Sequence, residues 1–417
     1  MRWIARRRRM LTMGVGALLA LGVTGCGGAS STGPKTPIAI GGETLLTGLK
    51  APFGTGVLQG MEAGVYEVNH GGGVLGRKFN LIPESDNSDP VDAVPVAQKL
   101  IGVNKVTVEV GEAGAGAQAV APLFANNHIP FFVPGGDTYF DNNSNPYVWR
   151  VTPSDSQLAV AMSLYAKTQG YHTAVAMFTT GAVQQGLQNE VVHYFSKLGG
   201  TMLKIIPLQP DLTSYSSEVA TVEQLHPQVI FAEMDPGTAA VVFRNFESLG
   251  PLTTPFIGTD DMIGTTMIQA VGASVMRKVL VDAEGGLYNS PAVGFFNAAV
   301  KVTAHSAPDP NASYGYDGII LAALAMVEAN STNGPAINAA LPKITAPGGY
   351  PVYNFKEGVA ALKAGKRITY IGASGPFYFN KYHNVFGPFI IVRVNPAGTN
   401  YTTVTTLTAT QLAKATK

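Results

Sequence analysis

Short runs of β-branched residues alternate with helical patterns along most of this chain, and this alternation restricts the fold more than any other feature. An apolar run at 38–40 is followed by apolar residues at helical spacing over 54–69. Another extended run follows at 78–82. A strand, a helix and a strand in succession form a right-handed unit with parallel strands. The pattern predicts an α/β protein built on parallel sheets with helices on both faces.

Two successive series of these units are visible. At 417 residues the chain exceeds what one hydrophobic core usually serves, so each series is expected to form its own lobe. The predicted strands of the first series are 38–40, 78–82, 106–110 and 129–133, with helices at 54–69, 89–101 and 115–127. The later strands are predicted at 174–178, 202–206, 229–232, 256–258, 278–282, 375–379, 389–394 and 401–407, with helices at 154–169, 291–306, 312–330 and 335–342.

Composition excludes several classes of protein. Apolar residues make up 46% of the chain, which is enough for buried cores and argues against a disordered protein. The 28 Lys and Arg are nearly balanced by 27 Asp and Glu, but five of the arginines lie in the first ten residues. The remainder is therefore net acidic, and we expect no nucleic-acid partner.

The N-terminus has the pattern of an export signal. Arginines precede an apolar stretch that ends at Val23-Thr24-Gly25-Cys26, and this stretch is too short for a membrane span. Cys26 is the only cysteine in the chain and stands where a signal peptide would be cut. The segment resembles the lipobox of bacterial lipoproteins, although an ordinary secretory signal with an incidental cysteine is the alternative. The resemblance predicts a signal peptide over 1–25 and a lipid-anchored linker over 26–36.

Five short motifs in the body of the chain carry a family resemblance. They resemble those of the leucine/isoleucine/valine-binding (type I) periplasmic solute-binding proteins, the receptor components of ATP-driven importers. In order, the motifs are Leu46-Thr47-Gly48; Asn69 with Gly71-Gly72 and Leu75-Gly76-Arg77-Lys78; Asp86 with Asp89-Pro90 and Ala97, Lys99 and Leu100; Trp149-Arg150 with Pro153, Asp155 and Gln157; and Gly372 to Pro376 before Tyr378-Phe379-Asn380.

The resemblance implies a clamshell of two Rossmann-like lobes joined by three crossing segments, with one ligand closed between them. Transferred by motif order, lobe one spans 37–152 and 283–372, and lobe two spans 153–282 and 373–417. The implied function is extracytoplasmic capture of a small polar ligand, an amino acid or related amide, and its delivery to the permease and ATPase subunits of an ABC importer. The implied protein is a monomer without enzymatic activity or a cofactor, held at the outer face of the cell membrane by its lipid.

Candidate ligand contacts lie at the ends of predicted strands, where open α/β sheets bind their ligands. Glycine-rich backbone before a helix, as at 111–116, can hold an anion, although tight packing explains the same glycines. The acids suit an ammonium, but each is also a common turn or helix-cap residue. By resemblance or by position, the candidates are Gly114, Ala115, Gly116, Gly135, Asp137, Thr138, Asp155, Asp235 and Asp260, with Glu112 facing the same cleft.

The chain departs from the family pattern where the family places aromatic residues against the ligand. Residues 181–186 and 233–236 carry polar and acidic side chains instead, and Ala115 stands where the family has a hydroxyl. The departures indicate a more polar ligand than leucine. A cationic amino acid, an amide or a polyol is therefore also compatible with the sequence.

Two other functions stay open at this stage. The same clamshell could act as a ligand sensor without transport. The spacing Gly114-x-Gly116-x-x-Ala119 with Asp137 resembles a dinucleotide-binding fingerprint, which would make the protein an NAD-dependent enzyme. The seven histidines never recur at i+3 or i+4, so no helical metal site is expected.

Replacing Cys26 by Ser should release the protein from membranes, because no other thiol can be acylated. Fractionation of cells that express either form measures this. A Cys26→Ser protein that stays with the membrane would rule out the lipid anchor, and the unchanged chain serves as the control.

Overall fold

Two β-sheets with mainly parallel strands form the framework of the protein. The computed structural model describes residues 35–48, 50–285 and 290–416, and residues 36–417 form one contact unit. The predicted signal peptide, Cys26 and most of the predicted linker lie outside the described residues. Among the described residues, no helix combines the length and the apolar composition that a membrane span requires.

The first sheet is parallel throughout and has the strand order β2-β1-β3-β4-β5. In this order β2 lies on one side of β1, and β3, β4 and β5 lie on the other. The order therefore reverses next to β1, which is the point where open α/β sheets form a ligand crevice. The strands are β1 Ile38–Thr44, β2 Phe79–Ser85, β3 Val108–Val110, β4 Phe131–Val133 and β5 Val148–Arg150.

The second sheet has the order β14-β13-β10-β9-β8-β6-β7. Its strands are parallel from β7 to β10, while β13 and β14 add an antiparallel edge. A two-stranded parallel sheet joins β11 to β12. The remaining strands are β6 Thr173–Thr179, β7 Thr201–Leu208, β8 Val229–Glu233, β9 Phe256–Gly258, β10 Leu280–Gly285, β11 Tyr350–Val352, β12 Ile368–Tyr370, β13 Phe389–Val394 and β14 Tyr401–Leu407.

Helices connect the strands and cover the sheets. Several begin with the residue types that satisfy free backbone N–H groups: the Asp89 side chain accepts from Val91 N, and Pro90 occupies the first helical position. The helices are α1 Ala51–His70, α2 Pro90–Lys99, α3 Gly114–Asn126, α4 Asp155–Thr168, α5 Ala182–Lys197, α6 Ser216–Leu225, α7 Pro236–Leu249, α8 Thr265–Val271, α9 Ala273–Val279, α10 Pro291–Thr303, α11 Ala312–Ala329, α12 Gly334–Thr345, α13 Phe355–Lys363 and α14 Ala409–Ala415.

The chain crosses between the two halves of the fold three times. After β5 it leaves the first sheet for the second, after β10 it leaves the second sheet for α10 to α13 and the small sheet, and after β12 it returns to the second sheet. Helices α10 and α11 lie between the second and third passages and pack on α1, which connects two strands of the first sheet. This confirms the predicted α/β fold with three crossings. The predicted lobe boundaries stay a prediction; β10 extends to Gly285, past the predicted boundary at 282.

Helix α11 is the centre of the larger core. Its residues from Ala312 to Met326 are all buried, and it packs along α1. The two backbones approach closely at Gly60 of α1, where a Cβ would overlap the carbonyl oxygen of Ala312 and crowd the backbone N of Tyr316. Only glycine permits this approach.

Asp317 of α11 fixes the third crossing. Its buried carboxylate accepts hydrogen bonds from the Tyr370 hydroxyl (2.6 Å), from Ala373 N (3.0 Å) and from the backbone N (2.7 Å) and hydroxyl (2.5 Å) of Ser374. Burial, opposed by these hydrogen bonds, raises the pKa of Asp317 to about 6. The segment that leaves β12 is therefore held against α11 before it enters the second sheet.

Several predicted elements need correction. Strand β5 was not predicted, because three residues are too short to show a period. Strands β11 and β12 were missed for the same reason. The predicted strand at 375–379 is absent from the described structure apart from a bridge between Ile371 and Pro376. Ser154 caps α4 as predicted, but the Gln157 amide contacts Val385 O and Gly387 N rather than completing a capping box.

Gly60→Ala should lower the free energy of unfolding by about 1–3 kcal/mol, because the added methyl group meets rigid backbone. This loss exceeds the gain of up to about 1 kcal/mol in helix propensity. Denaturant unfolding measures the difference. Gly102→Ala, in the helical segment Leu100–Asn104 with open space around it, is the control and should not destabilise. Equal stability of both variants would contradict the packing argument.

Candidate functional site

The loops that follow the parallel strands converge on one cavity of about 240 Å³. Because parallel strands end at the same edge of a sheet, loops distant in sequence meet there. Both large sheets contribute. The lining residues are Leu45, Lys50, Phe53, Asp86, Ser88, Pro90, Ala113, Gly114, Ala115, Gly116, Gly135, Gly136, Asp137, Asp155, Val183, Gln184, Asp260 and Asp261.

Helix α3 begins in the cavity wall. Gly114, Ala115 and Gly116 are its first three residues, and no side chain caps its N-terminus. The free N–H groups and the helix dipole give this end a partial positive charge. The backbone can therefore hold an oxygen atom of a ligand, although Ala115 adds no hydroxyl.

The segments that follow β4 and β5 each bring one aspartate into the wall. Asp137 caps a 3₁₀ turn by accepting from Tyr139 N (3.0 Å), and its other oxygen is hydrogen-bonded to the Gln118 amide. Asp155 is the first residue of α4 and lies against Gly136, where a Cβ would clash with its carboxylate. Glycine at 136 makes room for the Asp155 carboxylate.

Arg150 supports the loop after β4 from behind. It is 1% exposed, forms an ion pair with Asp141 at 2.7 Å, and donates to the carbonyl oxygens of Gly136 (3.2 Å) and Asp137 (3.0 Å). Because its guanidinium is used in these contacts, Arg150 positions the loop and does not line the cavity.

An ion pair joins the two sides of the cavity. Lys50, the N-cap residue of α1, places Nζ 2.6 Å from Oδ2 of Asp261 and 3.6 Å from Oε1 of Glu233. Glu233 ends β8 and Asp261 follows β9, so a residue next to the first sheet is bound to two acids of the second. These contacts hold the loops of the two sheets together around the cavity.

The pKa values of the two acids in this group shift in opposite directions. Burial opposes ionisation of Asp261, but attraction to Lys50 and hydrogen bonds with Glu233 and Lys50 lower the pKa of Asp261. Burial raises the pKa of Glu233 well above its usual range; Lys50 opposes this and Asp261 adds to it. These shifts favour the ionised form of Asp261 and oppose ionisation of Glu233. The Lys50 charge is balanced within this group.

Two acids of the cavity lack such a partner. Burial, followed by repulsion from Asp261, raises the pKa of Asp260 to about 7. Burial and the charges of Asp260 and Asp137 raise the pKa of Asp155 well above its usual range, against the opposing effect of Arg150. A cation between Asp155 and Asp260 would stabilise the ionised form of both.

The structure brings most of the predicted contact residues together. Thr138 and Asp235 do not line the cavity. The Thr138 hydroxyl lies beside Gly186, and Asp235 caps α7 by accepting from Thr238 N (3.0 Å) in an adjoining pocket that shares Lys50. Glu112 lies behind Gly116. The predicted residues that do line the cavity are Gly114, Ala115, Gly116, Gly135, Asp137, Asp155 and Asp260.

Sequence reasoning missed Lys50, Asp86 and Asp261 as site residues. The sequence analysis assigned Asp86 only to a family motif and did not single out Asp261. Lys50 stands in the loop after the first strand, where the same strand-end rule could have found it. Its partners are about 180 and 210 residues further along the chain, and no local pattern indicates that pairing.

The residues do not favour the dinucleotide alternative. A dinucleotide site would use Asp137 to bind the ribose hydroxyls. Both oxygens of Asp137 already accept hydrogen bonds, from Tyr139 N and from the Gln118 amide. Among residues 35–48, 50–285 and 290–416, no cluster of His, Cys, Asp or Glu has the arrangement of a metal site.

Comparison with known proteins identifies the fold family. A family model described as "Periplasmic binding protein" matches residues 37–399. The chain belongs to this family. This membership confirms the resemblance that the motifs predicted.

Individual members of the family share about a quarter or less of their residues with this chain in the matches below. The "Leu/Ile/Val-binding protein homolog 2" of Brucella abortus is 24% identical over 241 residues, which cover 57% of this chain and 64% of that protein. The match thus spans less than two thirds of that relative. A leucine-binding protein of Thermotoga maritima superposes with a TM-score of 0.76 at 20% identity, covering 89% of this chain and 99% of that one. A Rhodopseudomonas palustris solute-binding protein with benzoate has a TM-score of 0.73 at 19% identity, covering 89% and 96%.

The Lys50–Asp261 pair should show a coupling energy of about 1–2 kcal/mol in a double-mutant cycle with Lys50→Met and Asp261→Asn, because it is partly shielded from water. Denaturant unfolding supplies the four free energies. The matched control is the Lys99–Glu84 pair, also 2.6 Å long but with a lysine that is 52% exposed against 33% for Lys50, which should couple by less than about 0.5 kcal/mol. A Lys50–Asp261 coupling no larger than the control would show that the pair does not hold the loops together.

Proposed function

We propose that this protein captures a small ligand bearing an ammonium group between its two lobes and delivers it to an ABC importer. The observation that carries the proposal is the pair Asp155 and Asp260, which face one cavity without a cation of their own. A ligand ammonium supplies that charge. An amino acid or related amide is the leading ligand class, and the free N-terminus of α3 can take its carboxylate or carbonyl oxygen.

Membership of the periplasmic binding protein family supports the binding role, the extracytoplasmic location and the partnership with permease and ATPase subunits. The names of relatives support amino acids, since several are Leu/Ile/Val-binding protein homologues. The benzoate complex of the Rhodopseudomonas palustris protein shows that this fold also holds other solutes. The acids in the present cavity favour an amine over a benzoate, because an anion would be repelled.

Binding is proposed to act by closure. Lobe one contributes the α3 N-terminus and lobe two contributes Asp260, so a ligand touches both only when the lobes are together. Its differential affinity then shifts the population toward the closed form, which a permease recognises. The lobes, with the boundaries predicted above, move about the three crossings, and the protein acts as a monomer anchored through Cys26.

A thermal-shift screen over amino acids, amides, polyamines and sugars tests the proposal, because a ligand that binds only the folded state raises the melting temperature. Small-angle scattering with the best compound then tests closure through the radius of gyration. If no amine raises the melting temperature, the proposed ligand class fails. If a ligand binds with no change in radius, the closure mechanism fails.

Asp260→Asn should weaken binding of the best amine at least tenfold, because a charge-assisted contact contributes about 1.5–3 kcal/mol. Calorimetry measures the affinity. In the unchanged protein, affinity should fall as the pH decreases below about 7, since protonation of Asp260 removes the charge that attracts the ammonium. The variant should show a shallower fall.

Asp235→Asn is the control for this variant. Asn caps a helix about as well as Asp, and Asp235 lies outside the main cavity, so affinity and its pH dependence should stay unchanged. Unchanged affinity in Asp260→Asn would remove that residue from the binding site.

A further inference from the structure

A second pair of acids lies against the cavity, on the side of the first sheet. Asp86 follows β2 and lines the cavity, and Glu112 follows β3. They are 1% and 0% exposed. Both lie close to Gly116, where a Cβ would overlap Oε1 of Glu112 and come within 3.1 Å of Oδ2 of Asp86. Two carboxyl groups from different strand ends therefore meet behind one residue of the cavity wall.

Each of these carboxyl groups has one oxygen in use and one without a partner. Oδ1 of Asp86 accepts from Ser88 N (3.1 Å), and Oε1 of Glu112 accepts from Ala113 N (3.0 Å). Oδ2 of Asp86 and Oε2 of Glu112 are buried without a hydrogen bond. A buried polar atom without a partner is costly, and a bound ligand or ion is one way in which such an atom gains a partner.

No cation among the described cavity-lining residues is free to neutralise these acids. Lys50 is the only Lys, Arg or His in that lining, and its charge is balanced by Asp261. The pair Asp86 and Glu112 thus resembles Asp155 and Asp260 in lacking a positive charge: Asp86 lines the cavity, and Glu112 lies directly behind the cavity-lining Gly116.

Apolar side chains line the same cavity. Leu45 and Phe53 come from the segment around the start of α1, Pro90 begins α2, and Val183 lies near the start of α5. They offer no hydrogen bonds from their side chains, and they suit the methylene groups of a ligand. Two acidic pairs and an apolar lining match a molecule with cationic groups joined by an aliphatic chain.

We propose that the ligand carries two cationic groups, and that Asp86 and Glu112 bind the second one, an ammonium or a guanidinium. The inference rests on the proposed function, in which Asp155 and Asp260 bind the first. Basic amino acids and diamines share this chemistry. Basic amino acids also have a carboxylate, which the N-terminus of α3 can bind, whereas diamines have none.

Two matched pairs of compounds test the second cation. Lysine differs from norleucine, and cadaverine from pentylamine, by one terminal ammonium on the same carbon chain. Calorimetry with the whole folded protein measures each affinity. At least one dication should bind ten or more times more tightly than its partner compound. Tight binding of lysine alone shows that the carboxylate is also held, and tight binding of cadaverine shows that it is dispensable; either result supports the second cation site.

Asp86→Asn tests the assignment to residues. Asn retains the acceptor for Ser88 N, so the turn is preserved while the charge is lost. The preference for the dication should fall at least fivefold. Glu112→Gln is the second variant, with the same expectation, in case one of the two fails to fold. Glu84→Gln is the control and should keep the full preference, because Glu84 lies in β2, two residues before Asp86, and is paired with Lys99 away from the cavity lining.

Equal affinity within both compound pairs would overturn the inference and leave the proposed function standing, provided that these amines bind. A preference that is unchanged in both Asp86→Asn and Glu112→Gln would also overturn it. If none of the four compounds binds, the inference fails, and the wider thermal-shift screen decides the proposed function separately.

Discussion

Parallel strands constrain everything else in this molecule. Each parallel strand must be followed by a connection that returns to the opposite edge, so all loops that leave the carboxyl ends collect at one place. In the described residues this brings Lys50, Asp86, Asp155 and Asp260 to one cavity although more than 200 residues separate the first from the last. The cores formed around α11 and in the second sheet hold these loops in position.

The cavity combines stabilising and destabilising electrostatics. Lys50 with Asp261 and Glu233 is a balanced group that favours contact between the loops of the two sheets. Asp155 and Asp260 are unbalanced, and burial shifts their pKa values upward. The protein bears the cost of these acids without a ligand, and a cation removes it. The same residues thus limit the stability of the protein without a ligand and, in the proposed function, provide the driving force for binding.

Regular features of the fold were predictable, whereas contacts between distant segments were not. The alternation of strands and helices predicted both sheets, and the family resemblance indicated Asp155 and Asp260. The three-residue strand β5 carries no period that a sequence can display. The role of Lys50 depends on Asp261, whose position follows from packing of two lobes rather than from neighbouring residues. Thr138 was assigned by motif position, but it does not line the cavity, and its hydroxyl lies beside Gly186.

Two of the four glycines that line the cavity bear on how such a receptor can diversify. Gly136 leaves the space that the Asp155 carboxylate occupies, and Gly116 does the same for Glu112. One nucleotide change converts a glycine codon into an alanine codon, and the new methyl group would displace a charged side chain that the mutation does not itself alter. Such a change in a duplicated gene would therefore shift the preference of the encoded receptor toward less basic solutes. Every acid and both sheets would be retained.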